Sequence, residues 1–291
     1  VYDPGAYNGF DREKKSDAFF ARIDWNINDK NKLTIRNNYV KGSNFLFSDG
    51  TSSASFYNNG YNFNSKTNST VLELNSNFSG ISSNMLRLPY TNTQDNRATP
   101  GDLFPGVTIS DNGATYYFGT EQYSQANSLG QKTFTLTDNF NVYAGKHTFT
   151  FGTDNQFYNS KNLFLAGYAG NYSYGSLQDF YDDASGAKDS AFATSYKLTY
   201  STDPKNPKPV SNVHAAQFSL YAQDVYSVTD RFKLTYGLQA DMPIFTNKPA
   251  ANDAFNSSDI AINNNVATNK VPKASVLLSP RVGFNWDVNG N

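Results

Sequence analysis

Two histidines, His147 and His214, are where acid–base chemistry would have to start in this 291-residue chain. A general base must lie within hydrogen-bond reach of the group it serves. Neither histidine stands in a Ser-His-Asp spacing, an HExxH motif or a glycine-rich phosphate loop. His147 follows a tight turn beside aromatic residues and reads as an interfacial structural residue. Asp182-Asp183 could form a carboxylate pair, but in a polar loop they read as solvated charges, and Gly167-Tyr168-Ala169-Gly170 reads as loop. Asp287, Asn289 and Asn291 have the one-three-five spacing that opens a calcium loop. Asn289-Gly290 is also the strongest short hairpin signal and needs no metal. With no cysteine, disulfides and thiolate metal sites are excluded. No cofactor and no enzymatic activity are expected.

The elements that would position any site are strands. Charge is sparse at 17% and the net charge is −1, so there is no basic footprint for nucleic acid. Aromatics reach 15%, with Tyr and Phe far above Trp, and the mean hydropathy is −0.59. No apolar run is long enough for a membrane-spanning helix. Val1 opens no signal peptide, so the chain is expected to begin partway through something larger or after processing. Apolar residues alternate with polar ones in paired segments joined by short turns. Phe19, Ala21, Ile23, Trp25 and Ile27 pass Asp29-Lys30-Asn31 into Leu33, Ile35 and Tyr39. Leu72, Leu74 and Phe78 lead through Gly80-Ile81-Ser82 to Leu86, Leu88 and Tyr90. Phe134, Leu136, Phe140 and Val142 turn at Ala144-Gly145 into Phe149, Phe151 and Phe157. Phe218, Leu220, Ala222, Tyr226 and Val228 pass Thr229-Asp230-Arg231 into Phe232, Leu234, Tyr236 and Leu238. Val282, Phe284, Trp286 and Val288 form a ninth segment.

Parity predicts the pairing, because a slip of one residue moves every side chain to the other face. An odd loop in the first hairpin places Ile27 opposite Leu33 and Trp25 opposite Ile35. A two-residue loop in the third places Val142 opposite His147 and Phe140 opposite Phe149. The fourth hairpin sets Asp224 opposite Tyr236, whose hydroxyl could partner it. Asp138 also falls on an apolar parity, with no partner evident and a local bulge as one way to change its face. The long connections, about 44–66, 91–130, 161–212 and 246–278, all fall at one end of the strands and are expected to be structureless. Strands of ten or more residues, short turns at one end and long loops at the other are the pattern of an outer-membrane β-barrel. Trp25, Phe78, Phe149, Tyr226, Phe232 and Trp286 near the short turns would suit an interfacial girdle. A soluble β-sandwich, burying its apolar face on a second sheet, is the alternative. Nine strands are odd in number, and a membrane tolerates no open sheet edge, so a segment of a larger barrel is expected.

The stretches TPGDLFPGVTI (99–109), TLTDNFNVYAGKHTFTFGT (135–153), YSYGSLQDFY (172–181), LYAQDVYSVTDRFKLTYGLQADMPIF (220–245) and SPRVGFNWDVNGN (279–291) resemble TonB-dependent outer-membrane receptors. The likeness is to the Oar-like group common in Bacteroidota and spans essentially the whole chain. YAQDVYSVTDRFKLTYGL is similar to a pattern widespread in TonB-dependent barrels; TDNFNVYAGKHTFTFGT (137–153) and SPRVGFNWDVNG (279–290) are more particular to the Oar-like group. The resemblance implies an all-β, antiparallel transmembrane barrel of 22 strands, plugged by an N-terminal domain and driven by TonB. Residues 1–291 would be an early-to-middle part of that one barrel domain, since plug, TonB box and a small N-terminal β-sandwich extension have no counterpart here. Partners would be outer-membrane lipid, the TonB complex and a surface lipoprotein or other outer-membrane protein. An adhesion or scaffold protein on the same barrel, without transport, stays open.

On the inward parity, Arg22, Asp24, Arg36, Glu73, Lys233, Arg281 and Asp287 are expected to face the lumen and meet a plug, each other or solvent. Among the loop aromatics, Phe164, Tyr168, Tyr172, Tyr174, Phe180, Tyr181 and Tyr196 could contact a substrate or pack one loop on another. Asp189-Ser190-Ala191 resembles the Asp-Ser/Thr-apolar O-glycosylation motif of Bacteroidota, with Ser190 as acceptor.

Overall fold

The computed structural model describes residues 2–187, 192–288 and 290. In chain order its strands are β1 (Lys14–Asn28), β2 (Asn31–Leu46), β3 (Ser53–Ser55), β4 (Tyr61–Ser79), β5 (Ser82–Ala98), β6 (Gly106–Asp111) and β7 (Ala114–Phe118). They continue with β8 (Asn127–Ala144), β9 (His147–Phe164), β10 (Asn171–Tyr174), β11 (Ala193–Lys197), β12 (Ser211–Thr229), β13 (Phe232–Phe245) and β14 (Leu277–Trp286). Helices are α1 (Leu177–Ser185), α2 (Asp253–Asn256) and α3 (Asp259–Asn263). None is long and apolar enough to cross a membrane.

Nine strands form one sheet in the order β1-β2-β4-β5-β8-β9-β12-β13-β14, and every neighbouring pair is antiparallel. β1 and β14 are each paired on one side only among the described residues, and both run toward the short-turn end. The alternation puts one parity of every strand on each face. On the apolar face one cross-strand row reads Asn37, Thr70, Tyr90, Phe134, Phe157, Ala216. Phe157 packs 6.0 Å from Phe134 and 5.8 Å from Phe218. Yet Leu220, Phe151 and Leu238, on strands paired on both sides, are 68%, 50% and 49% exposed. Side chains like these lack protein cover because lipid covers them in a membrane barrel.

The hairpins close differently from the expected register. Val142 faces Phe149 and Phe140 faces Phe151, two residues off, because the turn is Gly145-Lys146 and not Ala144-Gly145. Gly145 has φ +61° and Lys146 is not left-handed, the pattern of a type II′ turn, which wants glycine first. In the first hairpin Trp25 faces Leu33 and Ile23 faces Ile35, again two off, since Asn28 pairs with Asn31 and Ile27 bulges out. Phe78 and Val228 sit in equivalent bulges. The odd loop that parity demands is thus a two-residue turn plus one bulged residue. Side chains hold these turns: the amide of Lys30 donates to Asn28 Oδ1 at 3.0 Å, and that of Phe232 to Thr229 Oγ1 at 3.0 Å. Both shifts are even, so no residue changes face. Asp224 does face Tyr236.

The long connections correct the expectation of structureless loops. The wall strands run further than expected, and three connections build a second sheet in the order β11-β10-β6-β7-β3. Two of its pairings, β3 with β7 and β6 with β10, are parallel and join different connections. Its core is Val107, Ile109 and Tyr174, with Tyr116, Phe118, Tyr172, Leu177 and Phe180 packed around it. Asp182 and Asp183 lie on α1, not in a loop; that helix is capped by Ser176 Oγ accepting from the Asp179 amide and ends at left-handed Gly186. The fourth connection holds α2 and α3.

Candidate functional site

The polar face of the wall carries most of the expected charges. Arg22 Nε donates to Asp24 Oδ2 at 2.7 Å, while Lys32 Nζ and Thr34 Oγ1 reach Asp24 Oδ1 at 3.2 and 2.8 Å. Glu73 accepts from Asn75 Nδ2 at 2.9 Å. Arg281 donates to Gln239 Oε1 at 2.6 Å, and Gln239 in turn donates to Asp241 at 2.9 Å. Arg36 lies directly opposite Arg22; Lys233 lies opposite Ser227 and Asn285. Asp287 follows the end of β14 on the same parity as Arg281, and its Oδ1 accepts the Gly290 amide at 2.8 Å. That bond makes it a turn cap. Asn289 and Asn291, the other residues of the calcium spacing, lie outside the described residues, as does Ser190.

Sequence reasoning missed Lys32, Arg87, Asp154 and Asp241 on this face. Arg87 stands between Glu73 and Thr137. Asp154 accepts from Thr137 Oγ1 and Gln156 Nε2, each at 2.7 Å. Parity alone marks all four, since each shares the polar parity of its strand. At Gly152 the Tyr221 ring lies across the backbone where a Cβ would stand, and the Tyr221 hydroxyl donates to Asn139 Oδ1 at 2.5 Å.

Above the wall, the second sheet and the N-terminal residues enclose an aromatic cleft of about 550 Å³, lined by Tyr2, Phe104, Val107, Phe118, Tyr172, Tyr174 and Phe180 among others. Tyr2 stacks on Phe104 at 3.8 Å, and Phe118 meets Phe180 edge-on at 5.2 Å. The Tyr174 hydroxyl donates to Asp183 Oδ2 at 2.7 Å; burial first, then that carboxylate, pushes its ionisation well above the usual tyrosine range. Buried Gln125 ties the cleft's two main connections together. Its Nε2 donates to the carbonyls of Thr120 and Gly170, both at 3.1 Å, and its Oε1 accepts the Ala169 amide at 2.7 Å. Of the seven loop aromatics singled out, Tyr172, Tyr174 and Phe180 pack into this cap. Phe164, Tyr181 and Tyr196 are exposed, although Tyr196 leans on Tyr172 at 4.5 Å. Tyr168 takes Lys208 Nζ over its ring at 4.9 Å.

His147 stacks on Tyr226 at 4.3 Å and its Nδ1 lies 2.6 Å from Asp224 Oδ2, a pairing the sequence did not suggest. The Tyr236 hydroxyl donates to the same oxygen at 2.8 Å. A carboxylate on the lipid-facing parity is thereby wrapped in two partners and only 3% exposed. Asp138 keeps its face without a bulge, and accepts from Asn84 Nδ2 at 2.7 Å.

Nine long antiparallel strands with one apolar and one polar face define a membrane β-barrel wall. A family model described as outer membrane beta barrel domain matches residues 3–291, and the chain belongs to that family. The protein is therefore located in the outer membrane. Among solved structures, the fold is similar to the outer membrane transporter YddB from Escherichia coli, at 12% identity and TM-score 0.55, covering 95% of this chain and 30% of that one. It is similar to the copper transporter OprC, at 11% identity and TM-score 0.56, covering 95% and 35%. It is also similar to BauA, the ferric preacinetobactin receptor from Acinetobacter baumannii, at 11% identity and TM-score 0.52, covering 95% and 38%. The chain thus spans about a third of the length of these structures. No curated protein matches it.

Proposed function

We propose that this chain is wall and loops of a TonB-dependent outer-membrane receptor of the Oar-like group, as found in Bacteroidota, and that the receptor captures a substrate at its long-loop end and imports it with TonB energy. The observation that carries the reading is the structured cap: three long connections from one end of the wall fold together around an aromatic cleft of about 550 Å³, within the usual range for ligand sites. The long loops are extracellular in this reading and the short turns periplasmic. The complete barrel has 22 strands around a plug, and TonB reaches that plug from the periplasm. A surface lipoprotein or another outer-membrane protein is a further partner. The role is binding and transport, not catalysis.

The polar face supports the same reading, because a wall that meets a plug needs fixed charges. Arg22→Ala and Arg36→Ala should loosen plug seating and raise channel leak in the full-length protein; unchanged leak in both would remove the plug contact from the proposal. An adhesion or scaffold role on the same barrel is the second reading, favoured by the exposed aromatics Tyr181 and Tyr196. Cells with and without the full-length protein, offered fluorescent peptide and oligosaccharide libraries, separate the two. Internalised label that collapses when the proton-motive force is dissipated supports import. Surface label alone, indifferent to that force, overturns import in favour of adhesion.

A further inference from the structure

Just above the aromatic row of the apolar face, toward the long-loop end, lies a cationic belt. Lys41, Lys66, Gln94, Gly130 and Lys161 form one continuous cross-strand row over β2, β4, β5, β8 and β9. Lys132 belongs to the next row down, which adjoins Tyr90, Phe134 and Phe157. All four lysines are exposed, and none forms an ion pair among the described residues. The one carboxylate on the same row is Asp17, opposite Lys41. Lys66 lies over the Tyr39 ring at 5.7 Å.

Lys41 stands directly opposite Lys66, an arrangement that costs stability when nothing neutralises it. Between Lys66 and Lys161 the absent side chain of Gly130 leaves a notch. A cleft of about 590 Å³ opens there, lined by Lys41, Lys66 and Lys161, by the amide residues Asn64, Gln94 and Asn96, and by Asp95, which belongs to the polar parity of β5. Three strand spacings put Lys66 and Lys161 about 14 Å apart. An interfacial anion with acyl chains below it meets each of these features. The chains lie on the apolar rows, the anionic groups sit at lysine height, and the amides bind the sugar or ester oxygens between.

We propose that this belt is a binding site for phosphate-bearing lipid headgroups in the leaflet at the long-loop end, with Lys66 and Lys161 gripping phosphates on either side of the Gly130 notch. The site needs the apolar face to lie in lipid and does not depend on transport. The test is native mass spectrometry of the full-length protein, stripped of lipid in nonionic detergent and titrated with lipid A, with dephosphorylated lipid A and with inorganic phosphate. Lipid A should bind, and Lys66→Gln with Lys161→Gln should weaken it about 30-fold, since each lysine at a membrane surface contributes about 1 kcal/mol. Lys66→Arg with Lys161→Arg should bind as the wild type does. Dephosphorylated lipid A should bind the wild type no better than lipid A binds the glutamine variant. Undiminished lipid A binding by a folded glutamine variant overturns the site, as does equal binding of the dephosphorylated lipid. Inorganic phosphate that fills the site as tightly as lipid A overturns the lipid assignment in favour of a free-anion site.

Discussion

The nine-stranded wall and the five-stranded cap are both sheets, yet they keep their apolar residues in opposite places. The wall pairs each strand with the next wall strand along the chain and turns Leu220, Phe151 and Leu238 outward, open to whatever surrounds them. The cap draws strands from three separate connections, makes two of its pairings parallel, and closes Ile109 inside at 2% exposure. One sheet leaves burial to the lipid and the other buries its own side chains, as a water-soluble protein does. The rules that predict each therefore differ: parity assigns the wall's two faces, whereas the cap obeys ordinary core packing.

The sharpest way to break that contrast is a charge on the wall's outer parity. Leu72→Arg, beside Ile35 and Leu88, should cost about 2–4 kcal/mol in denaturant unfolding from lipid vesicles. Glu73→Gln, one residue away on the polar face, should stay within about 0.5 kcal/mol. Equal effects would mean the faces have been assigned wrongly. In the cap, Gln125→Leu strands an amide and two carbonyls and should cost about 2–3 kcal/mol. Amide hydrogen exchange should quicken at residues 169–174 while the wall hairpins keep their protection. Loss of protection in both would show that the two sheets fold as one unit.

A smaller effect tests Asp224, the carboxylate buried on the outer face. Asp224→Leu leaves His147 and Tyr236 without their shared acceptor and should cost about 1–3 kcal/mol. Replacing all three with Leu, Phe and Phe should recover most of that loss, because apolar substitutes for a buried polar cluster are often neutral or better. Failure to recover would mean the cluster stabilises the wall. The smallest effect concerns pH at the N-terminal segment. The Arg12 guanidinium, 2.6 Å from Asp49, holds that carboxyl below the usual carboxylate range. A depressed value means the contact is intact at and above the ordinary carboxylate range and is lost as pH falls through the lowered value. Proteolysis of residues 2–12 should rise in that acid window, and Asp49→Asn should flatten the response.

The nine wall strands, their two faces and the contact of Tyr236 with Asp224 were legible in the sequence, since period-2 alternation survives any even register shift. The registers of the first and third hairpins were not. A bulge at Ile27 and a turn one residue later at Gly145-Lys146 move the pairing by two without moving a side chain to the other face, so parity has no power to detect them. The cap was invisible for another reason. Its strands are as short as Ser53–Ser55 and find partners far away in sequence, and no local pattern announces a pairing of that kind. His147 with Asp224, and the lysine row, needed cross-strand register before their members could be set side by side.

The direction of the two outermost strands has a consequence for counting. β1 and β14 both run toward the short-turn end, so an antiparallel partner for either must run the other way. Any closed barrel that contains this sheet and alternates throughout must add an odd number of strands. An even number would leave one parallel seam, with slanted hydrogen bonds down the length of the wall.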